Sequence, residues 1–405
     1  MKSYTIVVKL GTSSLVDETT REPRLANMSL LVETMVKLRR QGHKIIIVSS
    51  GAIAVGMRAM GFKKRPDKLS QVQALASIGQ GILIGLFDNL FRQLSQPISQ
   101  ILITRNDIVD FTQYRNAVNT INEVLEMGVI PIVNENDTLS VAEIKFGDND
   151  TLSAITAGMM HADYLFLMTD VECLYTSNPR TDPNAKPIVL VDKIDELSVS
   201  TETGGSSVGT GGMTTKLIAA ELANSVGVTT IISLSSQPQY ILDIVSDIQE
   251  SESLPVEESR KRLETKIANN TIPRHTRFLG LPRKAMIKSD KKFWLLHGLK
   301  TKGEIIVDKG CYNALTRKNR AGLLPAGIVD VKGTFHESEC VAIKYLESED
   351  EEPILVGQCR VNYSSVEISM LKGCKSSDIE DILGYADSEY IAHRDNIAFP
   401  PLVPH

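Results

Sequence analysis

Short apolar runs alternate with stretches of helical periodicity over roughly the first 240 residues. Tyr4–Leu10, Lys44–Val48, Ile98–Thr104, Val129–Val133, Tyr164–Met168 and Thr229–Ser233 are compact apolar runs and are predicted as buried strands. Leu25–Arg40 carries Leu25, Met28, Leu31, Val32, Met35 and Leu38 at helical spacing, and Gly42 ends it. Tyr114–Met127, Thr151–Met160 and Thr214–Val226 are predicted helices of the same kind. Strand–helix alternation predicts an α/β fold with a largely parallel sheet covered by helices. Ligands in such folds bind in the loops at the carboxyl ends of the strands.

The pattern changes further along. The polar, charged stretch over residues 245–272 marks a boundary, giving an expected first domain at 1–255 and a linker at 256–275. Beyond it, Phe293–Leu296, Glu304–Val307, Gly327–Val331, Cys340–Lys344 and Ile354–Val356 are short runs separated by Gly, Pro and charged turns. They predict a small β-rich domain at 276–371, followed by a tail at 372–405.

Composition narrows the class. A 405-residue chain with 42% hydrophobic and 23% charged residues is that of a globular protein of two domains. The net charge of −5 gives no global bias toward nucleic acid or membrane, yet 14 Lys and Arg face 4 Asp and Glu between Pro273 and Lys332. The five cysteines are widely spaced and form no CxxC, which argues against a disulfide framework or zinc site and suits a reducing compartment. The opening MKSYTIVVKLG turns polar too soon for a signal peptide, and no apolar run reaches the ~20 residues of a membrane span. The expected location is the cytoplasm.

Two standard nucleotide motifs, GxxxxGK[ST] and GxGxxG, are absent. Polar clusters nevertheless follow the predicted strands: Lys9-Leu10-Gly11-Thr12-Ser13-Ser14, Ser49-Ser50-Gly51-Ala52, Asn134-Glu135-Asn136-Asp137 and Thr169-Asp170. The loop from Gly204 to Lys216 holds five glycines just before a predicted helix. Glycines let backbone approach an anion closely, and a helix start offers unpaired N–H groups. The alternative is a flexible surface loop, in which Lys216 would gain little from the positive end of a helix. Lys9 ends a strand expected to be buried, where an ammonium is costly without a negative partner, unless it snorkels to the surface. Together Lys9 and Lys216 read as a clamp on a transferring phosphoryl group, a reaction catalysed mainly by positioning and charge neutralisation. The Asn134–Asp137 cluster and Gly147-Asp148-Asn149-Asp150 could hold a zwitterionic amino acid, helix capping being the bland alternative. The histidines show no ligand spacing, so a metal is expected only as Mg²⁺ arriving with ATP.

The motifs VVKLGTS, VSSGAIAVG, TRND, VIPIVNEND, EIKFGDND, LMTDVECLYTSNPR and GTGGMTTK, in that order, resemble the glutamate 5-kinases of the amino acid kinase family. The C-terminal GCYNALTRKNRAGLLPAGIVDVKG and the ILGY and HRDN segments are similar to that family's PUA domain and tail. The resemblance implies a three-layer sandwich of the amino acid kinase type with an appended PUA domain. It implies Lys9 and Lys216 on the ATP phosphates and the transition state. Ser50, Asp137 and Asn149 would bind glutamate, with Gly11, Asn134, Asp148 and Asp150 supporting. Thr169, Asp170, Thr210, Gly211, Gly212, Met213, Thr214, Thr215 and Lys216 would bind ATP, Asp170 also orienting the lysines. It further implies L-glutamyl 5-phosphate as product at the first step of proline synthesis. A homo-oligomer, inhibition by proline and a glutamyl phosphate reductase as recipient belong to the same picture. The alternatives are another amino acid kinase, acting on aspartate, N-acetylglutamate, carbamate or a nucleoside monophosphate, and an RNA-binding PUA protein with a kinase-like domain, to which the basic stretch would contribute phosphate contacts.

Overall fold

The computed structural model describes residues 2–139, 149–177, 182, 184–194, 197, 212–281, 290–317, 321–347 and 352–400. The chain divides into two compact units, Met1–Arg283 and Lys284–His405.

The first unit opens with β1 (Thr5–Leu10), α1 (Thr12–Leu15), α2 (Leu25–Arg40), β2 (Lys44–Ser49), α3 (Ala52–Ala59) and α4 (Leu69–Gln93). It continues through β3 (Ile98–Ile103), α5 (Arg105–Val109), α6 (Phe111–Glu126), β4 (Ile130–Glu135), α7 (Asn149–Met159) and β5 (Tyr164–Thr169). It closes with the short β6 (Leu174–Tyr175), β7 (Pro187–Ile188) and β8 (Leu190–Val191), then α8 (Met213–Asn224), β9 (Thr229–Leu234), α9 (Tyr240–Ser251), α10 (Val256–Ala268) and β10 (Thr276–Phe278). Eight strands form one sheet in the order β3-β4-β2-β1-β5-β9-β10-β8. Pairing is parallel from β3 to β9, and β10 runs antiparallel to β9. β1 pairs with β2 on one side and β5 on the other, so successive strands diverge from this point. A crevice opens at the carboxyl ends of strands where the order reverses in this way. Strands buried on both faces read as continuous apolar runs, which is why their sequences were legible.

α4 is long and apolar enough to cross a membrane by length and composition, contrary to the expectation that no segment approaches that size. One face of it belongs to the core, where Leu83, Phe87 and Phe91 pack with β1, β2 and α2 side chains. Its contact with α3 is backbone on backbone. A Cβ at Gly56 would stand 1.9 Å from the Leu75 carbonyl oxygen, and one at Gly79 would stand 1.8 Å from that of Ala52. Only glycine permits such an approach.

The expected linker at 256–275 is part of the first unit. Leu263 and Ile267 of α10 bury against Val189, Leu190 and Ile272. Asp247 of α9, 4% exposed, receives Arg262 (2.7 Å) and Lys266 (2.7 Å) from α10 and Arg277 (2.7 Å) from β10. Burial works against the Asp247 carboxylate, but hydrogen bonds from Lys266 and Arg277 and the nearby positive charge hold its pKa below the usual carboxylate range. Buried His275 has its pKa pushed down to about 3 by desolvation and by Arg277, so it is neutral. Its Nδ1–H donates to the Pro273 carbonyl oxygen (2.8 Å) and its Nε2 accepts from Arg277 Nε (2.8 Å). Arg262 and Lys266, among the charged residues that suggested a linker, are thus spent on internal ion pairs.

The second unit contains α11 (Asp290–Phe293), a π turn at Trp294–Gly298, β11 (Glu304–Val307), α12 (Lys309–Thr316), β12 (Ile328–Lys332), β13 (Cys340–Tyr345), β14 (Ile354–Arg360), α13 (Ser365–Leu371), α14 (Ile379–Leu383) and β15 (Ile397–Ala398). Its sheet order is β12-β11-β13-β14-β15. The expected strand at Phe293–Leu296 is helical: Phe293, Trp294 and Leu295 are all buried, where a one-sided strand would alternate. The expected tail at 372–405 contributes Ile379, Ile391, Ala392 and Ile397 to this unit's core.

Asp247→Ala leaves Arg277 buried without its carboxylate. We expect the first unit to lose about 3–5 kcal/mol, the cost of an orphaned buried charge, measured by urea unfolding. Because the folded-state pKa of Asp247 is depressed, its contribution is present above the unfolded carboxylate pKa near 4 and is lost as pH falls through the folded value. The wild-type advantage over Asp247→Ala should therefore shrink in acid.

Candidate active site

Lys9 stands at the carboxyl end of β1, Asp150 in the first turn of α7 and Lys216 in the first turn of α8. α7 is buried along nearly its whole length and packs on α8, β1, β2, β4 and β5, which brings its start beneath the sheet edge. Lys9 Nζ lies 2.6 Å from Asp150 Oδ1, and Lys216 Nζ lies 3.2 Å from Oδ2. Thr215 Oγ1 lies 2.9 Å from Asp150 Oδ2 and 2.8 Å from the Gly212 carbonyl oxygen, with one proton to donate between them. Lys9, Lys216 and Asp150 are 7%, 5% and 0% exposed.

Burial pushes the pKa of Asp150 up, but Lys9 and Lys216 outweigh it and hold the carboxyl at about 2. The same burial, with Lys9 nearby, lowers the pKa of Lys216 against the opposing pull of Asp150. Two ammonium groups share one carboxylate, so the contact cluster carries a net positive charge in a nearly dry place. An uncompensated charge there is costly and is relieved by an arriving anion. The start of α8 adds its unpaired N–H groups and positive dipole end; Gly212 caps it without a side-chain hydrogen bond.

The amide cluster lies on the other flank. Asn149 Nδ2 donates among the Ser49 carbonyl oxygen (3.0 Å), Ser50 Oγ (2.8 Å) and Asn134 Oδ1 (3.3 Å). Asp137 is half-buried in the turn after β4. Thr169, buried at the end of β5, donates from Oγ1 to Asp170 Oδ1 (3.2 Å), and Asp170 is exposed. Met213, Thr214 and Thr215 form the first turn of α8. Asp148, Thr210 and Gly211 lie outside the described residues.

The structure therefore joins Lys9, Lys216 and Asp150 at one point, and Ser50, Asn134 and Asn149 at another. Asp150 touches both lysines, and Asp170, expected to orient them, adds its negative field at Lys216. Asp170 follows a strand and Asp150 starts a helix, and sequence position could not say that Asp150 reaches both ammonium groups. Two residues had gone unremarked. Gln80 of α4 accepts from Asn134 Nδ2 at 2.8 Å. Asn27 of α2 donates to the carbonyl oxygens of Ser14 (2.8 Å) and Ser235 (3.0 Å), tying the loop after β1 to the loop after β9. The signal for Gln80 was a polar residue between two glycines, Gly79 and Gly81, inside an apolar helix.

Residues 4–233 match the model of the amino acid kinase family, and residues 303–383 match that of the PUA domain. The chain belongs to the amino acid kinase family. Over its full length it is 53% identical to a Schizosaccharomyces pombe protein named "Probable glutamate 5-kinase", covering 95% of that protein. It is 52% identical to an uncharacterised protein of Saccharomyces cerevisiae, with 99% of each chain covered. It is 42% identical to the glutamate 5-kinase of Rippkaea orientalis, with 97% of this chain and 98% of the relative covered.

Asp150→Asn keeps the shape of the cluster and removes the charge that the lysines share. We expect phosphoryl transfer to fall by about 100-fold or more. Lys216 must be protonated to act, and Asp150 raises its pKa. In the variant the alkaline limb of the pH–rate profile should move to lower pH, read from initial rates across pH 6–10 (a range set by the ordinary Lys pKa of about 10.4).

Proposed function

We propose that the chain transfers the γ-phosphoryl group of ATP to the side-chain carboxylate of L-glutamate, giving L-glutamyl 5-phosphate at the first step of proline synthesis. The observation that carries this reading is the buried pair of ammonium groups on one carboxylate, an anion site with surplus positive charge. The names of the S. pombe and R. orientalis relatives support the choice of glutamate.

The strand order supports the same arrangement. β4, β2, β1 and β5 are neighbours, so Asn134, Ser49, Lys9 and Thr169 follow one another along the carboxyl edge of the sheet. Strands are about 4.8 Å apart, so β4 and β1 are separated by about 10 Å. That span suits a five-carbon amino acid with its α-carbon at the amide flank and its far carboxylate beside the lysines. Thr169 and Asp170 then border the nucleotide. The glutamate γ-carboxylate is ionised at neutral pH and needs no strong general base. Its oxygen forms a bond to the γ-phosphorus as the bond to the ADP oxygen breaks. Lys9, Lys216 and the N–H groups at the start of α8 offset the charge of the phosphoryl group in flight. Asp150 keeps the two ammonium groups apart from water and in register.

Mg²⁺ would enter on the nucleotide phosphates, with exposed Asp170 as the carboxylate that borders them. The ion would add charge neutralisation there. A cytoplasmic homo-oligomer inhibited by proline and feeding a glutamyl phosphate reductase completes the reading.

The test is a trapping assay with ATP, Mg²⁺ and hydroxylamine, supplying L-glutamate, L-aspartate, N-acetyl-L-glutamate or no acid. Hydroxamate from glutamate alone, reduced by about 100-fold or more in Lys216→Ala, is the expected outcome. Hydroxamate from none of the acids would overturn the acyl-phosphate chemistry.

A further inference from the structure

Gln80 is held at a fixed height above the sheet edge by the close contact of α3 and α4. Gly79, its neighbour, lies against the backbone of Ala52 and Gly56, where a Cβ would meet the Ala52 carbonyl oxygen at 1.8 Å and the Gly56 nitrogen at 2.5 Å. Ala52 begins α3 directly after Ser50-Gly51, so the same contact ties α4 to the loop beyond β2.

The hydrogen bonds fix which way each amide faces. The backbone N–H of Glu135 donates to Asn134 Oδ1 at 2.9 Å, so the Asn134 oxygen is on that side and its Nδ2 faces Gln80. Gln80 must then offer Oε1, at 2.8 Å, and turn its NH₂ elsewhere. Gln80 is half-buried, and among the described residues its NH₂ meets no acceptor. Asn149 is set the opposite way. Its NH₂ donates to the Ser49 carbonyl oxygen, which leaves its Oδ1 as an acceptor. A donor pair on Gln80 and an acceptor on Asn149 suit the two ends of a zwitterion, carboxylate and ammonium.

We propose that Gln80 is a specificity-determining residue of the amino-acid pocket, donating its NH₂ to the α-carboxylate of the substrate. Asn134 acts through it as a positioning residue. The inference rests on the reading of this pocket as a glutamate site and names the group that recognises the amino-acid end. The α-carboxylate is the partner because the other carboxylate belongs beside Lys9 and Lys216, two strands away from Asn134.

Gln80→Glu tests it. The variant keeps the side-chain shape and the acceptor toward Asn134, and puts a carboxylate oxygen where the NH₂ stood. Wild type and variant are compared with L-glutamate and with L-isoglutamine, whose α-carboxyl is a neutral carboxamide and whose γ-carboxylate is intact. We expect KM for glutamate to rise about tenfold or more, since a hydrogen bond to a charged group is replaced by repulsion. The KM for ATP and kcat should change far less, and the preference should move toward isoglutamine. Gln80→Leu, which loses the donor without adding charge, should raise KM for glutamate and give no gain for isoglutamine. Parallel KM changes for both substrates in Gln80→Glu, or an unchanged KM for glutamate in both variants, would overturn the role of Gln80 while leaving the glutamate reading in place. A wild-type chain that makes no hydroxamate from glutamate would overturn the reading itself, and the inference with it.

Discussion

One carboxylate, Asp150, holds two ammonium groups in a nearly water-free place, and much of the first unit is arranged to make that possible. A single buried carboxylate cannot neutralise Lys9 and Lys216 together. Lys9 is anchored by a central strand paired on both sides, Lys216 by the first turn of α8 and Asp150 by a helix buried along its length. In the proposed reaction the charge of a phosphoryl group would complete the set.

The parallel sheet converts strand order into a linear site. Each of β4, β2, β1 and β5 contributes a polar terminus at the same edge, and neighbours in the sheet become neighbours along it. β1 lies at the point where the chain turns from one side of the sheet to the other. Its Lys9 is therefore flanked by the amide cluster on the β2 and β4 side and by Thr169 on the β5 side. The glycine contact between α3 and α4 closes the amide flank, and the Asp247 network secures α9, α10 and β10 on the far side of the same unit. The second unit has a hydrophobic core of its own, to which residues beyond 372 contribute.

Much of this architecture is legible in the sequence. Strands buried on both faces are continuous apolar runs, and the amphipathic helices between them carry a 3.6-residue period, so β1, β2, β4, β5, β9 and α2 could be located within a residue or two. The family resemblance rested on loops at strand ends, where local sequence is constrained by chemistry as well as by packing. Lys9 stood out because an ammonium at the end of a buried strand demands an explanation, and Lys216 because it follows a glycine-rich loop at a helix start.

Other features depended on pairings between distant parts of the chain. That Asp150 touches both lysines follows from the burial of α7 against α8 and β1, which brings together residues far apart in the chain. Gln80 is hidden in an apolar helix until the crossing with α3 sets it beside Asn134. The four-residue run at Phe293–Leu296 fits strand or helix alike, since period cannot be read over so few positions. The charged stretch at 256–275 resembled a linker because its counter-charge, Asp247, lies on another helix. The sequence by itself determined the fold class and the residue types of the site, because these follow from local periodicity and the cost of burying charge. Which carboxylate meets which ammonium, and which way each amide faces, was decided by tertiary structure, because those choices are made by distances between residues far apart in the chain.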